Sequence, residues 1–182
     1  MPKILGISAF YHDSAACLIE NGEIISAVQE ERFSRLKHDS SFPKKAIEFI
    51  LKEHSIEASD IDFVAFYEKP FLKFERLMET YIENAPRGFQ SFQKAMPIWI
   101  KDKLFQKRSL LNSLQEISSN FSEENLLFSE HHLSHAASAF YPSPFSQSLI
   151  LTIDGVGEWA TTSVAIGRGA EIELLKEIHY PH

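Results

Sequence analysis

Cysteine is almost missing from this sequence: Cys17 is the only one in 182 residues. A lone thiol in the apolar run AACLI cannot close an internal disulfide and reads as a small buried hydrophobe. The expected compartment is therefore the reducing cytoplasm. Positive charge is also in short supply, with 18 Lys and Arg against 25 Asp and Glu and a net charge of −7. That balance argues against nucleic acid as a partner. Long apolar runs are lacking too. No stretch approaches the roughly 20 residues of a membrane span, and MPKILGIS has neither the length nor the flanks of a secretory signal.

What is present suffices for a real core. The chain is 44% hydrophobic, and its length suits one or one-and-a-half domains. One region departs from the acidic average: Lys69 to Arg108 holds nine Lys/Arg against four Asp/Glu. Phe71, Phe74, Phe89, Phe92, Trp99 and Phe105 are interleaved with them. Amphipathic helices with solvated charges account for such a pattern, and so does a binding face for an anionic substrate or partner.

Hydrophobic alternation predicts strands over Lys3–Ser8, Ala15–Glu20 and Glu23–Gln29, the last two joined by Asn21-Gly22, a strong hairpin signal. Pro43 opens an amphipathic helix, PKKAIEFILKEH, with Ile47, Ile50 and Leu51 on one stripe. A strand over Asp62–Tyr67 follows. Next comes a long helical stretch broken at Pro86-Arg87-Gly88 and Pro97, a strand over Asn125–Phe128, and a His-bearing helix. The order is β-β-β-α-β-α-β-α.

The opening pattern then recurs. Leu149 to Ile178 repeats the layout of the first 30 or so residues: strand, polar turn, strand, a Gly turn (Arg168-Gly169) and a third strand. Two copies of such a unit describe the duplicated actin-like ATPase (ribonuclease H-like) fold, a mixed-sheet α/β architecture with its nucleotide between the copies. Residues 1–147 are expected to form a complete first lobe, and 148–182 the first three strands of a truncated second lobe. The expectation is thus an N-terminal part of a longer protein. A chance pair of β-meanders in a small complete protein is the competing explanation.

Three segments carry chemistry. In EHHLSHAASAF, His131 and His135 are four apart on an Ala-rich helix, so both imidazoles can address one point. His132 and His135 are also close enough to pair. Asp154 ends an apolar strand and supplies a carboxylate from another element. Nitrogen and oxygen donors without thiolate suit iron, zinc or manganese alike. The turn Asp154-Gly155-Val156-Gly157-Glu158 has glycines that let backbone N–H groups approach an anion. It could equally be a plain tight turn.

In the first turn, Ser8 to Ser14, His12 and Asp13 are adjacent. His12 suits a general base acting on a hydroxyl, whereas Asp13 could simply cap the turn. The charged run Glu30 to Asp39 offers Arg35 and Lys37 as anion-holding groups, or else forms a solvated loop.

Taken together, GISAFYHDSAACLIENGEIISAVQEERFSRLKHDSSFPKKAIEFIL, EHHLSHAASAFYPSPF and LTIDGVGEWATTS resemble the O-carbamoyltransferases, which include nodulation-factor and antibiotic-decorating enzymes. The likeness spans nearly the whole chain and is weakest from about Phe71 to Glu124. Family members are severalfold longer. The resemblance implies a C-terminal domain that makes carbamoyl adenylate from carbamoyl phosphate and ATP. An actin-like N-terminal domain then passes the carbamoyl group to the hydroxyl of a small molecule.

It also implies a metal, commonly iron, held by His131, His135 and Asp154, with a further carboxylate beyond residue 182. By the same likeness, His12 of the HD motif is the proton acceptor beside Asp13. Lys37 of the RxKH segment, with Arg35, contacts substrate. The turn of Gly155, Val156, Gly157 and Glu158 meets the adenylate phosphate. Partners would be the missing C-terminal domain and, in an allowed arrangement, a second copy as a homodimer; the isolated chain is expected to be inactive. The alternative is a non-catalytic actin-like module for binding or regulation.

Overall fold

The computed structural model describes residues 2–100, 105–155 and 157–181. Its elements run β1 (Lys3–Ser8), β2 (Ala15–Glu20), β3 (Glu23–Gln29), α1 (Glu31–Ser34), α2 (Lys44–Glu53), β4 (Phe63–Phe66), α3 (Pro70–Glu83) and α4 (Phe89–Trp99). They continue with α5 (Gln106–Gln115), β5 (Leu126–Phe128), α6 (His131–Phe140), β6 (Gln147–Ile153), β7 (Ala160–Arg168) and β8 (Glu171–His179). Contacts divide the chain into two compact units, residues 1–67 with 107–128 and residues 68–106 with 129–182.

The first unit is built on a five-stranded mixed sheet of order β3-β2-β1-β4-β5. Alternation along β1 and β2 sends Leu5, Ile7, Ala16 and Leu18 inward, and the antiparallel register sets Leu5 opposite Leu18 and Ile7 opposite Ala16. Asn21 and Gly22 both adopt left-handed backbone, with φ of 57° and 82°, so the loop has the sign that a tight hairpin requires. β4 runs parallel to β1, and β5 parallel to β4.

α2 covers this sheet with Ala46, Ile47 and Ile50, all fully buried. Each isoleucine so buried contributes about 1.5–3 kcal/mol of transfer free energy. The start of α2 lacks a local side-chain cap. Glu30, far back in sequence and 4% exposed, fills that role: its carboxylate accepts the N–H of Ala46 at 2.8 Å and of Lys45 at 3.3 Å. An anion at a helix N-terminus also meets the positive end of the macrodipole. The charged run expected as a loop therefore begins with a structural cap and includes the short helix α1.

The second unit holds the antiparallel meander β6-β7-β8. Ile150 and Ala165 meet Ala136 and Phe140 of α6 in a small core. Phe140 seats directly over Gly167, where a Cβ would fall 2.5 Å from the ring Cζ. On the other face of β6, Leu149, Leu151 and Ile153 are exposed. Gly169, at φ 58°, turns β7 into β8.

The helical stretch breaks at Pro86-Arg87-Gly88 as expected, with Gly88 at φ 79° preceding α4. Pro97 does not break it and lies inside α4. It falls in the last turn of α4, where its missing N–H removes one terminal hydrogen bond. Among the described residues, no helix is long and apolar enough to cross a membrane.

Candidate metal centre

α6 begins at His131, and its i, i+4 geometry sets the rings of His131 and His135 edge to face, with centroids 4.6 Å apart. Their Nε2 atoms lie 3.1 Å apart. Asp154, one residue past the end of β6, brings Oδ2 to 3.0 Å from His131 Nε2. Its own N–H donates to Thr161 O at 2.9 Å, and the Gly155 N–H donates to its Oδ1 at 2.7 Å. His131, His135 and Asp154 thus offer one ligand atom each, all within 4.8 Å of one another. For ligands about 2.1 Å from a cation, neighbouring donors of an octahedron lie about 3.0 Å apart, which the separations of His131 from His135 and from Asp154 match.

Hydrogen bonding alone serves this trio poorly. A neutral imidazole has one N–H, and three lone-pair-bearing atoms converge on the space between them. A cation gives all three a common partner. His131, largely buried, has its pKa lowered by desolvation and then by the nearby His135, which keeps its ring neutral as metal ligation requires. Burial opposes ionisation of Asp154, but the Gly155 N–H and the His131 ring outweigh it and hold the carboxyl below its ordinary value.

His132 takes the other direction. It is buried, and Nδ1 meets Ser163 Oγ of β7 at 2.8 Å. Of the two spacings open in the sequence, the i, i+4 pair therefore converges, and His132 packs α6 onto the sheet.

The glycine turn is held from beneath. A Cβ at Gly157 would sit 2.3 Å from His131 Cδ2, so only glycine allows the turn to lie against that ring. Arg76 of α3, 6% exposed, donates from Nη1 to Gly157 O at 3.0 Å. Glu158 is also buried, and its carboxylate accepts the backbone N–H of Lys69, just ahead of α3, and of His131. Burial pushes its pKa up. Its carboxylate is thus engaged within the fold, Gly155 is open to solvent, and Val156 lies outside the described residues. Lys69 Nζ pairs with Glu130 at 2.8 Å.

The remaining expected residues lie in the other unit. His12 Nδ1 meets Asp13 Oδ2 at 2.8 Å. Arg35 and Lys37 are exposed after α1, Arg35 in a left-handed conformation at φ 61°.

Sequence reasoning missed Arg76, Lys69 and the buried role of Glu158. The basic, aromatic character of 69–108 was the available signal, but composition does not reveal that one arginine turns inward to brace a loop 81 residues away.

Comparison with known proteins gives a consistent picture. A family model described as the carbamoyltransferase N-terminus matches residues 3–182. An uncharacterized protein of Synechocystis sp. is 53% identical across 100% of this chain and 30% of its own length. Nodulation protein NolNO of Sinorhizobium fredii is 37% identical over 92% of this chain and 23% of its own. An uncharacterized protein of Methanocaldococcus jannaschii is 31% identical over 96% and 34%. The chain thus spans about a quarter to a third of the length of these relatives. Among solved structures, YeaZ from Pseudomonas aeruginosa aligns with 98% of this chain and 66% of its own, at 13% identity and a TM-score of 0.48. That likeness is too loose to assign a fold.

Proposed function

The chain belongs to the carbamoyltransferase N-terminal family, and on that footing we propose that it holds a divalent metal and passes a carbamoyl group to a substrate hydroxyl. The observation that carries the reading is the convergence of His131 Nε2, His135 Nε2 and an Asp154 oxygen on one point. The donor set fits iron, zinc or manganese, and the family resemblance favours iron.

The reaction proposed is attack of an alcohol on carbamoyl adenylate, itself made from carbamoyl phosphate and ATP by a further domain. A carbon–oxygen bond forms to the acceptor, the bond from the carbamoyl carbon to the phosphate oxygen breaks, and AMP departs. An alcohol is a weak nucleophile at neutral pH, so its proton needs an acceptor. His12 is assigned that role, since its Nε2 lone pair is available once Nδ1–H is donated to Asp13. When bound, the metal supplies positive charge against the leaving phosphate. The turn bearing Gly155 and Gly157 is assigned to the same anion, and Glu158 serves by fixing the turn. Arg35 and Lys37 are assigned to the anionic substrate.

The same reading takes residues 1–147 as a first actin-like lobe and 148–182 as the opening of a second. Two antiparallel meanders, each with a glycine-bearing tight turn, support it. So does the bare apolar face of β6.

Metal analysis tests the central assignment. The purified chain, loaded with iron(II), zinc or manganese and desalted, should retain up to one ion per chain on the three ligands it supplies. His131→Ala and His135→Ala should each abolish retention. Equal metal content in wild type and both variants rejects the ligand assignment. In the complete polypeptide containing this chain, His12→Gln should lower carbamoyl transfer from carbamoyl phosphate and ATP to an alcohol while leaving metal content unchanged.

A further inference from the structure

A second pair of imidazoles converges on a carboxylate in the first unit. Asp13 is shared: Oδ2 meets His12 Nδ1 at 2.8 Å, and Oδ1 meets His38 Nδ1 at 2.9 Å. The hydrogen bond from His38, desolvation that opposes it, and the hydrogen bond from His12 together leave the Asp13 carboxyl below its ordinary value. An ionised carboxylate only accepts, so both Nδ1 atoms must donate. In its neutral form each ring then carries its lone pair on Nε2.

The backbone around this cluster is unusual for residues that are not glycine. Phe10, Asp13 and His38 are left-handed, with φ of 70°, 51° and 56°. Such conformations cost free energy and persist where the surroundings impose them, often at functional sites. Here the two turns are laced together. Phe10 N–H donates to Ser40 O at 2.9 Å and Ser14 N–H to Asp39 O at 2.8 Å. The Asp39 carboxylate in turn accepts from Ser41 N–H and Oγ at 2.9 and 2.6 Å. His38 N–H reaches Glu31 Oε2 at 3.3 Å. Core packing does not explain His38, whose side chain is 63% exposed.

We propose that His38 is a positioning residue. By donating to Asp13 Oδ1 it fixes the carboxylate, so that Oδ2 holds the Nδ1–H of His12 and leaves the His12 Nε2 lone pair for a substrate hydroxyl. The role rests on the reading of His12 as proton acceptor, but the geometry it requires can be measured without turnover. Both oxygens of Asp13 are engaged; with one donor removed the carboxylate is free to rotate, and the hold on His12 loosens.

Nitrogen-15 spectra of the imidazoles and carbon-13 titration of the Asp13 carboxyl, in the 182-residue chain, test this. In wild type, His12 should be mainly the Nδ1–H tautomer. His38→Ala should shift His12 toward a mixed population and move the Asp13 titration up toward the usual carboxylate range. His38→Asn should restore both, because its amide nitrogen stands at the same bond count from Cβ as Nδ1 and asparagine tolerates left-handed backbone. The asparagine variant also serves if the alanine variant fails to fold. An unchanged His12 tautomer and Asp13 titration in folded His38→Ala, or failure of His38→Asn to restore them, overturns the proposal. Coupled rings in a chain without transferase function would sink the functional reading alone, and a transferase with uncoupled rings would sink only this inference.

Discussion

Gly157 and His131 are in van der Waals contact so close that a single methyl group on the glycine would lie 2.3 Å from the imidazole Cδ2. Something must shift to admit it, and the atoms it meets belong to the His131 ring. Gly157→Ala should therefore push the ring aside and weaken metal affinity by roughly 10- to 100-fold, the scale of losses when support of a ligand is disturbed. Gly155→Ala is the control, since its Cβ would meet nothing within 4 Å. Calorimetric titration with zinc distinguishes the two. Equal affinities would show that the contact does not set the ligand geometry.

On the proposed ligand assignment, protons and metal compete for the same imidazole. The His131 pKa is lowered from 6.5, chiefly by burial. In the metal-free protein the unfolded chain takes up this proton near 6.5 and the folded chain only below it. The stability due to the buried neutral ring is therefore complete above that value and is lost as pH falls toward the folded value. Metal affinity should stay flat from alkaline pH down through 6.5 and decline only as pH approaches the lowered His131 value. Affinity that keeps rising well above that pH would point to a different titrating ligand.

Glu30 caps α2 from a distance, and removing it leaves two backbone donors of a buried helix start without their acceptor. Glu30→Ala should cost about 1–3 kcal/mol in urea unfolding. Glu30→Gln, which keeps an acceptor but loses the charge that favours the helix dipole, should cost less. Equal losses would mean that charge, not hydrogen bonding, is the cap's contribution.

Phe140 and Gly167 form a matched pair. Gly167→Ala should destabilise by about 1–3 kcal/mol through overpacking. Adding Phe140→Leu should recover part of that loss, giving a non-additive double-mutant cycle. Strict additivity would show that α6 relocates instead.

Local signals made much of the structure legible. Strand alternation, Asn21-Gly22 and the Pro43 helix start act over a few residues, and all three stand where the pattern puts them. The spacing of His131, His135 and the strand-end Asp154 likewise announced the cluster. What the sequence could not display was the burial of single charges. Glu30, Arg76 and Glu158 look like solvated surface in a string of letters, yet each is 6% exposed or less and bonds to backbone from another element. Such long-range pairings depend on the packed fold and leave no periodic trace. His132 illustrates the limit from the other side: its spacing was as good as that of its neighbour, and only the seat at Ser163 removed it from the trio.

One carboxylate, that of Glu158, fastens the chain just ahead of α3 and the first residue of α6 together. The base of α6 is thus bolted to the base of another helix. A sideways shift at the root of α3 would tug on the first residue of α6, and the His131 ring would feel it before the His135 ring or the Asp154 carboxylate.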